Sequence, residues 1–288
     1  MSRMGDVLAG FHAAWEFESD SVLIRFERGI RTPKLFQALG ERRIPLGAIA
    51  GVTLTRGKRG TVVLHAEPRP GADPLMEAAD GQLKDGCDPY RLVLPAEREV
   101  LAEYYADELR ARVAELGVAD RGPAERFLVD APSVPRAFKA YDAKASFDGR
   151  AVSFRWFWTG ASSAKWKAGD QTFPVADLTG VEWRSPEVFE GHLRLLRAAP
   201  PVAQADQDPA AVVFGLGYGP VHESLPFAAA VLAAVRSAGG AAAVQLNSGR
   251  RDPGEVAERI RHLGELHEAG LVTDEEFSVK KAELLAEL

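Results

Sequence analysis

Arg43-Ile44-Pro45-Leu46-Gly47-Ala48-Ile49-Ala50-Gly51-Val52 returns 129 residues later as Thr172-Phe173-Pro174-Val175-Ala176-Asp177-Leu178-Thr179-Gly180-Val181. Each copy reads apolar-Pro-apolar-x-x-aliphatic-x-Gly-Val. A proline cannot donate to a strand ladder, so each copy marks a strand start or edge. Upstream, Phe17–Phe26 lines up without a gap on Phe147–Trp156 at an offset of 130. There, Val22, Ile24 and Phe26 alternate on one face, as do Val152, Phe154 and Trp156. Period two with β-branched and aromatic residues predicts strands. The chain therefore reads as a duplication.

Downstream of the motif each copy predicts a hairpin, a Pro/Asp/Ala-rich insert and a last strand. The inserts, Pro68–Pro89 and Ala199–Pro209, read as surface loops. A helix entered through Leu94-Pro95 or Leu225-Pro226 follows, with proline expected in its first turn. Leu101, Tyr105, Leu109 and Val113 form one apolar stripe; Phe227, Val231 and Val235 form the other. The expected fold class is α+β, with antiparallel strands and a C-terminal helix in each of two tandem domains, 5–116 and 135–238. Gly117–Val134 and Gly239–Asp252 read as exposed linkers.

Residues 253–288 predict a helical hairpin. Ile260, Leu263 and Leu266 line the first helix, which Gly270 ends. Thr273 and Glu276 form a capping box, with Val272 and Phe277 as its hydrophobic staple. Phe277, Leu284, Leu285 and Leu288 form the second stripe. So short a segment rarely buries enough surface to fold alone. Its stripes therefore read as oligomerisation contacts, and a second copy of this chain is the first expected partner.

Composition narrows the functions. A net charge of −6 argues against a general nucleic-acid binder. Charge is uneven: residues 1–60 carry +4 and residues 253–288 carry −5. The single cysteine, Cys87, excludes an intrachain disulfide and fits a cytoplasmic setting. Its acidic neighbours should raise the thiol pKa. Leu225–Leu246 is apolar but carries Arg236 and the pair Gly239-Gly240, so it is not read as a membrane span.

Signals for chemistry are weak. Gly215-x-Gly217-x-Gly219 lacks the dinucleotide spacing, and Gly57-Lys58-Arg59-Gly60 lacks the features of a phosphate loop. His262 and His267 lie about 140° apart on a helix, too far round to share a metal. Asp206 and Asp208 read as solvated loop residues. No catalytic, cofactor or metal site is expected. The best anion-binding candidate is the cluster Arg25, Arg28, Arg31, Lys34, Arg42 and Arg43. Trp156-Phe157-Trp158 with Lys165-Trp166-Lys167 reads as a candidate contact surface, though alternation turns Trp156 and Trp158 one way and Phe157 the other, so that some of the run is expected in the core.

The tail resembles a SHOCT (short C-terminal) domain, through Leu263-x-x-Leu266, Gly270-Leu271-Val272-Thr273-x-Glu275-Glu276-Phe277 and Lys281-x-x-Leu284-Leu285. That resemblance implies a bacterial oligomerisation or interaction element without catalytic residues. The upstream copies resemble a bacterial family catalogued only as a domain of unknown function. Phe147-Asp148-Gly149 and the Ile-Pro-Leu … Gly-Val motif carry this resemblance, while copy one departs from it with Phe17-Glu18-Ser19. The strand-then-helix order also resembles pleckstrin-homology-like (PH-like) domains. The expectation is a non-catalytic oligomeric scaffold or adaptor that binds itself and other proteins. The second reading is an anionic-membrane or headgroup binder using the basic first domain.

Overall fold

The computed structural model describes residues 6–117, 122–198, 201 and 204–249, with backbone alone for Asp6 and 240–249. By its contacts the chain divides into Met1–Arg236, which holds both copies of the repeat, and Ser237–Leu288. The hairpin expected at 253–288 lies outside the described residues.

Repeat 1 runs β1 (Asp6–Ala9), β2 (Ala13–Phe17), β3 (Ser21–Phe26), α1 (Lys34–Leu39), β4 (Glu41–Pro45), β5 (Ile49–Arg56), β6 (Thr61–Pro68), α2 (Pro74–Ala79), β7 (Arg91–Pro95) and α3 (Glu99–Glu115). Repeat 2 runs β8 (Arg136–Lys139), β9 (Ala143–Phe147), β10 (Ala151–Trp156), α4 (Ser163–Ala168), β11 (Gln171–Pro174), β12 (Leu178–Arg184), β13 (His192–Arg197), β14 (Ala211–Val213) and α5 (Val221–Gly249). Each repeat pairs a four-stranded with a three-stranded antiparallel sheet, β1–β4 with β5–β7 and β8–β11 with β12–β14. The fold is α+β with a duplicated unit.

The opening motif takes equivalent places in the two repeats. Pro45 ends β4 opposite Ser21, and Pro174 ends β11 opposite Ala151. A single 3-10 turn follows each, Leu46–Ala48 and Val175–Asp177. The next strand then shifts register just before the shared glycine, at Ile49/Gly51 and at Leu178/Gly180. A bulge bends the strand and sharpens its twist, which helps carry the chain from one sheet into the next. Trp15, Ile24, Ile44, Leu64, Leu92 and Leu109 form the centre of the repeat 1 core. Fully burying such side chains contributes about 1.5–3 kcal/mol each.

Several expectations change. Pro95 ends β7 and is followed by a 3-10 turn before α3, while Pro226 lies inside α5, past its first turn. The two Leu-Pro pairs are therefore not equivalent. Leu101 is exposed, and α3 buries Ala102, Tyr105, Ala106, Leu109 and Val113. Phe227, Val231 and Val235 are buried on α5 as read. Gly239–Asp252 is not a linker throughout, because α5 continues to Gly249.

The insert at Pro68–Pro89 is no solvated loop. Asp73 caps α2, and Ala72, Leu75, Ala78 and Ala79 are buried. Nor is the connector free chain. Ala124 donates its N–H to the Pro70 carbonyl at 2.8 Å, and Leu128 and Val129 donate to the Ala72 carbonyl at 2.8 and 3.0 Å. Composition marks both segments as polar, but their scattered alanines and aliphatics are enough to seal a small interface.

That insert joins the repeats. Gln82 donates from Nε2 to the Trp183 carbonyl and accepts the Ser185 N–H, each at 2.9 Å. Its amide thus occupies the edge of β12 as a neighbouring strand would. Arg236 of α5 reaches back to the Gly71 carbonyl at 3.1 Å and to Glu77 at 3.0 Å. The same guanidinium lies 4.0 Å from the ring centre of Phe127 in the connector.

Candidate functional site

The basic cluster read from the sequence divides into groups with different surroundings. Arg25 pairs with Glu16 at 2.7 Å on the sheet surface. Arg43 is held by Glu18 and by the Ser21 hydroxyl. Arg42 turns inward on alternating β4, is buried, and cannot serve as a surface anion contact. Only Arg28, Arg31 and Lys34 remain together and exposed, on the β3–α1 loop and the start of α1. Ile30 stands among them fully exposed.

Arg42 instead centres a buried network in repeat 1. It donates to Asp73 Oδ1 at 2.7 Å and to the Tyr90 hydroxyl at 3.1 Å. Tyr90 in turn donates to Asp73 Oδ2 at 2.5 Å. Burial opposes the Arg42 charge, but Tyr90 and Asp73 outweigh it and raise the guanidinium pKa. Burial also pushes the Tyr90 pKa well up, so the phenol stays a neutral donor. Asp73 accepts the Leu75 N–H as well, which ties α2 to β4 and to the segment before β7.

Repeat 2 buries a different pair. Lys165 on α4 donates to Asp142 Oδ2 at 2.6 Å, and both side chains are closed off from solvent. Asp142 Oδ1 accepts the Val213 N–H at 3.0 Å, linking the β8–β9 turn to β14. The Trp156 ring lies 5.1 Å from the ammonium. Burial lowers the Lys165 pKa and raises that of Asp142, outweighing their mutual attraction. Asp208, expected in solvent, is buried; it pairs with Arg194 at 3.3 Å and caps the Ala210 N–H at 2.8 Å.

No sequence motif announces these networks. Ser162 as the N-cap of α4 fixes which face Lys165 occupies, and that cap was the available signal. The aromatic run divides between core and surface, and the two tryptophans do not share a face because β10 ends at Trp156. Trp156 is buried, whereas Trp158 is exposed and meets Trp166 edge-on at 5.1 Å between ring centres.

A cleft of about 670 Å³ opens between the repeats. Repeat 1 contributes the start of α1 and the chain from Gln82 to Cys87; repeat 2 contributes the β12–β13 turn and the β14–α5 loop. The glycine run shapes that last wall. Tyr218 donates its N–H to the Gly215 carbonyl at 2.9 Å, closing a tight turn. Gly217 and Gly219 have φ of +80° and +64°, and a Cβ on Gly219 would strike the Phe214 ring. The run, read from the sequence as a flexible strand end, is a defined tight turn after β14. Cys87 lines the cleft; burial first, then Glu187 of the other repeat, raises its thiol pKa. Among the described residues, no group of three His, Cys, Asp or Glu side chains is placed to hold a metal.

A family model described as a domain of unknown function, DUF4429, matches residues 15–110 and 145–232. The chain belongs to this family. The DUF4429 matches begin within β2 and β9 and end within α3 and α5, so they cover most of both repeats. A second model, the short C-terminal domain SHOCT, matches residues 258–285. No curated protein matches the chain. Ile260, Leu263, Leu266, Phe277, Leu284, Leu285 and Leu288, read as oligomerisation contacts, lie outside the described residues. Among the described residues no helix is long and apolar enough to cross a membrane.

Proposed function

We propose that this protein is a non-catalytic cytoplasmic scaffold that assembles through its C-terminal segment and presents its paired repeats to other proteins. The carrying observation is the lock between the repeats, in which Gln82 and Arg236 tie them into one platform. The buried ions support the same reading. Arg42, Asp73 and Tyr90 satisfy one another, as do Lys165 and Asp142, so each group is engaged in holding the fold. The four-plus-three strand order with a closing helix is consistent with a PH-like reading of each repeat. The SHOCT match supports assembly, on apolar stripes that need a partner surface. Light-scattering mass of the full chain and of a chain ending at Asp252 tests this. The full chain is expected to run as an oligomer at micromolar concentration and the truncated one as a smaller species. Phe277→Asp with Leu284→Asp should mimic the truncation. A full chain that runs as a monomer would sink the assembly reading.

One observation favours a second reading. Ile30, fully exposed beside Arg28, Arg31 and Lys34, suits an anionic membrane surface. Reversal of those three charges to Glu is then expected to abolish co-sedimentation with phosphatidylserine vesicles, and salt to weaken it. Co-sedimentation that ignores both treatments removes that reading.

A further inference from the structure

The cleft between the repeats has more apolar than polar wall. Phe189 and Leu216 stand at it 84% and 102% exposed, beside Leu83 and Tyr218. Large apolar side chains left this open mark a surface that something covers. Ligand cavities span about 300–1,000 Å³ and favour the junctions between domains. The charges at the cleft narrow the occupant. Lys84 is neutralised by Glu187 at 3.1 Å, and His222 lies 3.7 Å from Glu223. Among the described residues neither Lys34 nor Glu190 has an opposite charge within ion-pair distance. The wall thus offers one uncompensated cation on repeat 1, one uncompensated anion on repeat 2, and an apolar floor.

We infer that this cleft binds a single-chain amphiphile with an anionic head, the head set against Lys34 and the chain laid over Leu83, Leu216 and Phe189. The choice of a negative head rests on the partners of the two free charges. Lys34 shares the cleft wall with His222, close enough for its charge to act on the imidazole, and that ring can donate a hydrogen bond to an anion. Glu190 lies on the β12–β13 turn and has no ion pair among the described residues. His222 supports the placement: burial, and then the Lys34 charge, depress its pKa against the pull of Glu223. An anion arriving between them would relieve the Lys34 effect and let the imidazole pKa rise.

Cys87 provides the readout, because it is the only cysteine and it lines the cleft. The full-length protein is alkylated with a maleimide while submicellar dodecanoate is titrated in. Dodecanoate is expected to slow alkylation saturably, with dodecyltrimethylammonium much less effective. Lys34→Gln should weaken dodecanoate about tenfold, the scale of one charge-assisted hydrogen bond. Glu190→Gln should tighten it, and Leu216→Asp should weaken it for any head group. Both Lys34 and Leu216 are exposed, and an unchanged melting temperature will show that the fold is kept. By NMR, the His222 pKa should rise on dodecanoate binding in the wild type and rise without ligand in Lys34→Gln. The inference falls if the cationic amphiphile protects Cys87 equally, or if Lys34→Gln leaves protection unchanged. It falls also if vesicles bind while submicellar dodecanoate does not protect, which would favour a membrane surface. Protection that grows with protein concentration alone would overturn it in favour of a second copy of this chain.

Discussion

Lys165→Met is expected to destabilise the protein by about 3–5 kcal/mol at neutral pH, the usual cost of stranding one member of a buried ion pair. The substitution removes the ammonium that faces Asp142 and leaves that carboxylate closed off from water. Met fits the linear path of the lysine stem, so lost packing contributes little. The pair itself is no large source of stability. Burial holds Asp142 above its ordinary 3.8 and Lys165 below its ordinary 10.5. A carboxyl raised in the folded state loses stability as pH climbs past 3.8 toward its folded value. An ammonium lowered in the folded state loses stability as pH falls past 10.5 toward its folded value. Both losses operate at neutral pH.

Asp142→Asn combined with Lys165→Met should therefore return to wild-type stability or exceed it. The Asn side chain keeps an oxygen for the Val213 N–H. In Lys165→Met alone, acid should narrow the deficit, because the stranded carboxyl then protonates. Urea denaturation of the single and double variants at pH 7 and pH 4.5 checks this. A single variant within about 1 kcal/mol of wild type at pH 7 would show that the pair is solvated, contrary to its burial.

The second large effect is expected at Asp73→Ala, again about 3–5 kcal/mol, since a buried charge loses its counter-ion. Three partners are stranded together: the Arg42 guanidinium, the Tyr90 hydroxyl and the Leu75 N–H. Loss of the cap alone costs about 1 kcal/mol. The position of α2 also governs the seam between the repeats, because Gln82 follows it and meets β12. Hydrogen exchange should quicken in α2 and along the outer edge of β12, and far less in β9 and β10. Uniform quickening across both repeats would argue that Asp73 stabilises the whole unit and not this seam.

Legibility in the sequence followed period and spacing. Val22, Ile24 and Phe26 alternate over enough residues to reveal a strand, and a motif repeated at nearly constant offset revealed the duplication. Pro45 and Pro174 could be matched because a local chain geometry, strand then 3-10 turn then bulge, needs the same residues each time. What escaped depends on contacts distant along the chain. Arg42 and Asp73 lie 31 residues apart, and Gln82 and Trp183 lie 101 apart. Local composition carries no trace of such pairings, so by composition alone Arg42 falls among surface arginines and the α2 segment among loops. At Trp158 the limit is local: alternation puts it on the face of Trp156 only while the strand lasts, and β10 ends at Trp156. The cleft was invisible because neither repeat contains it alone.

The Gln82 amide has one more consequence, for how this chain keeps to itself. A strand edge with open N–H and C=O groups is a template on which another chain can add, and many β-proteins blunt such edges. Here the bluntness of β12 at Trp183 and Ser185 is supplied by a side chain from the other repeat. Protection against edge-to-edge strand pairing is thus shared property, present only while the repeats stay together. Repeat 2 produced by itself would bare that edge, and its aggregation would reflect a missing chaperoning neighbour within the same polypeptide.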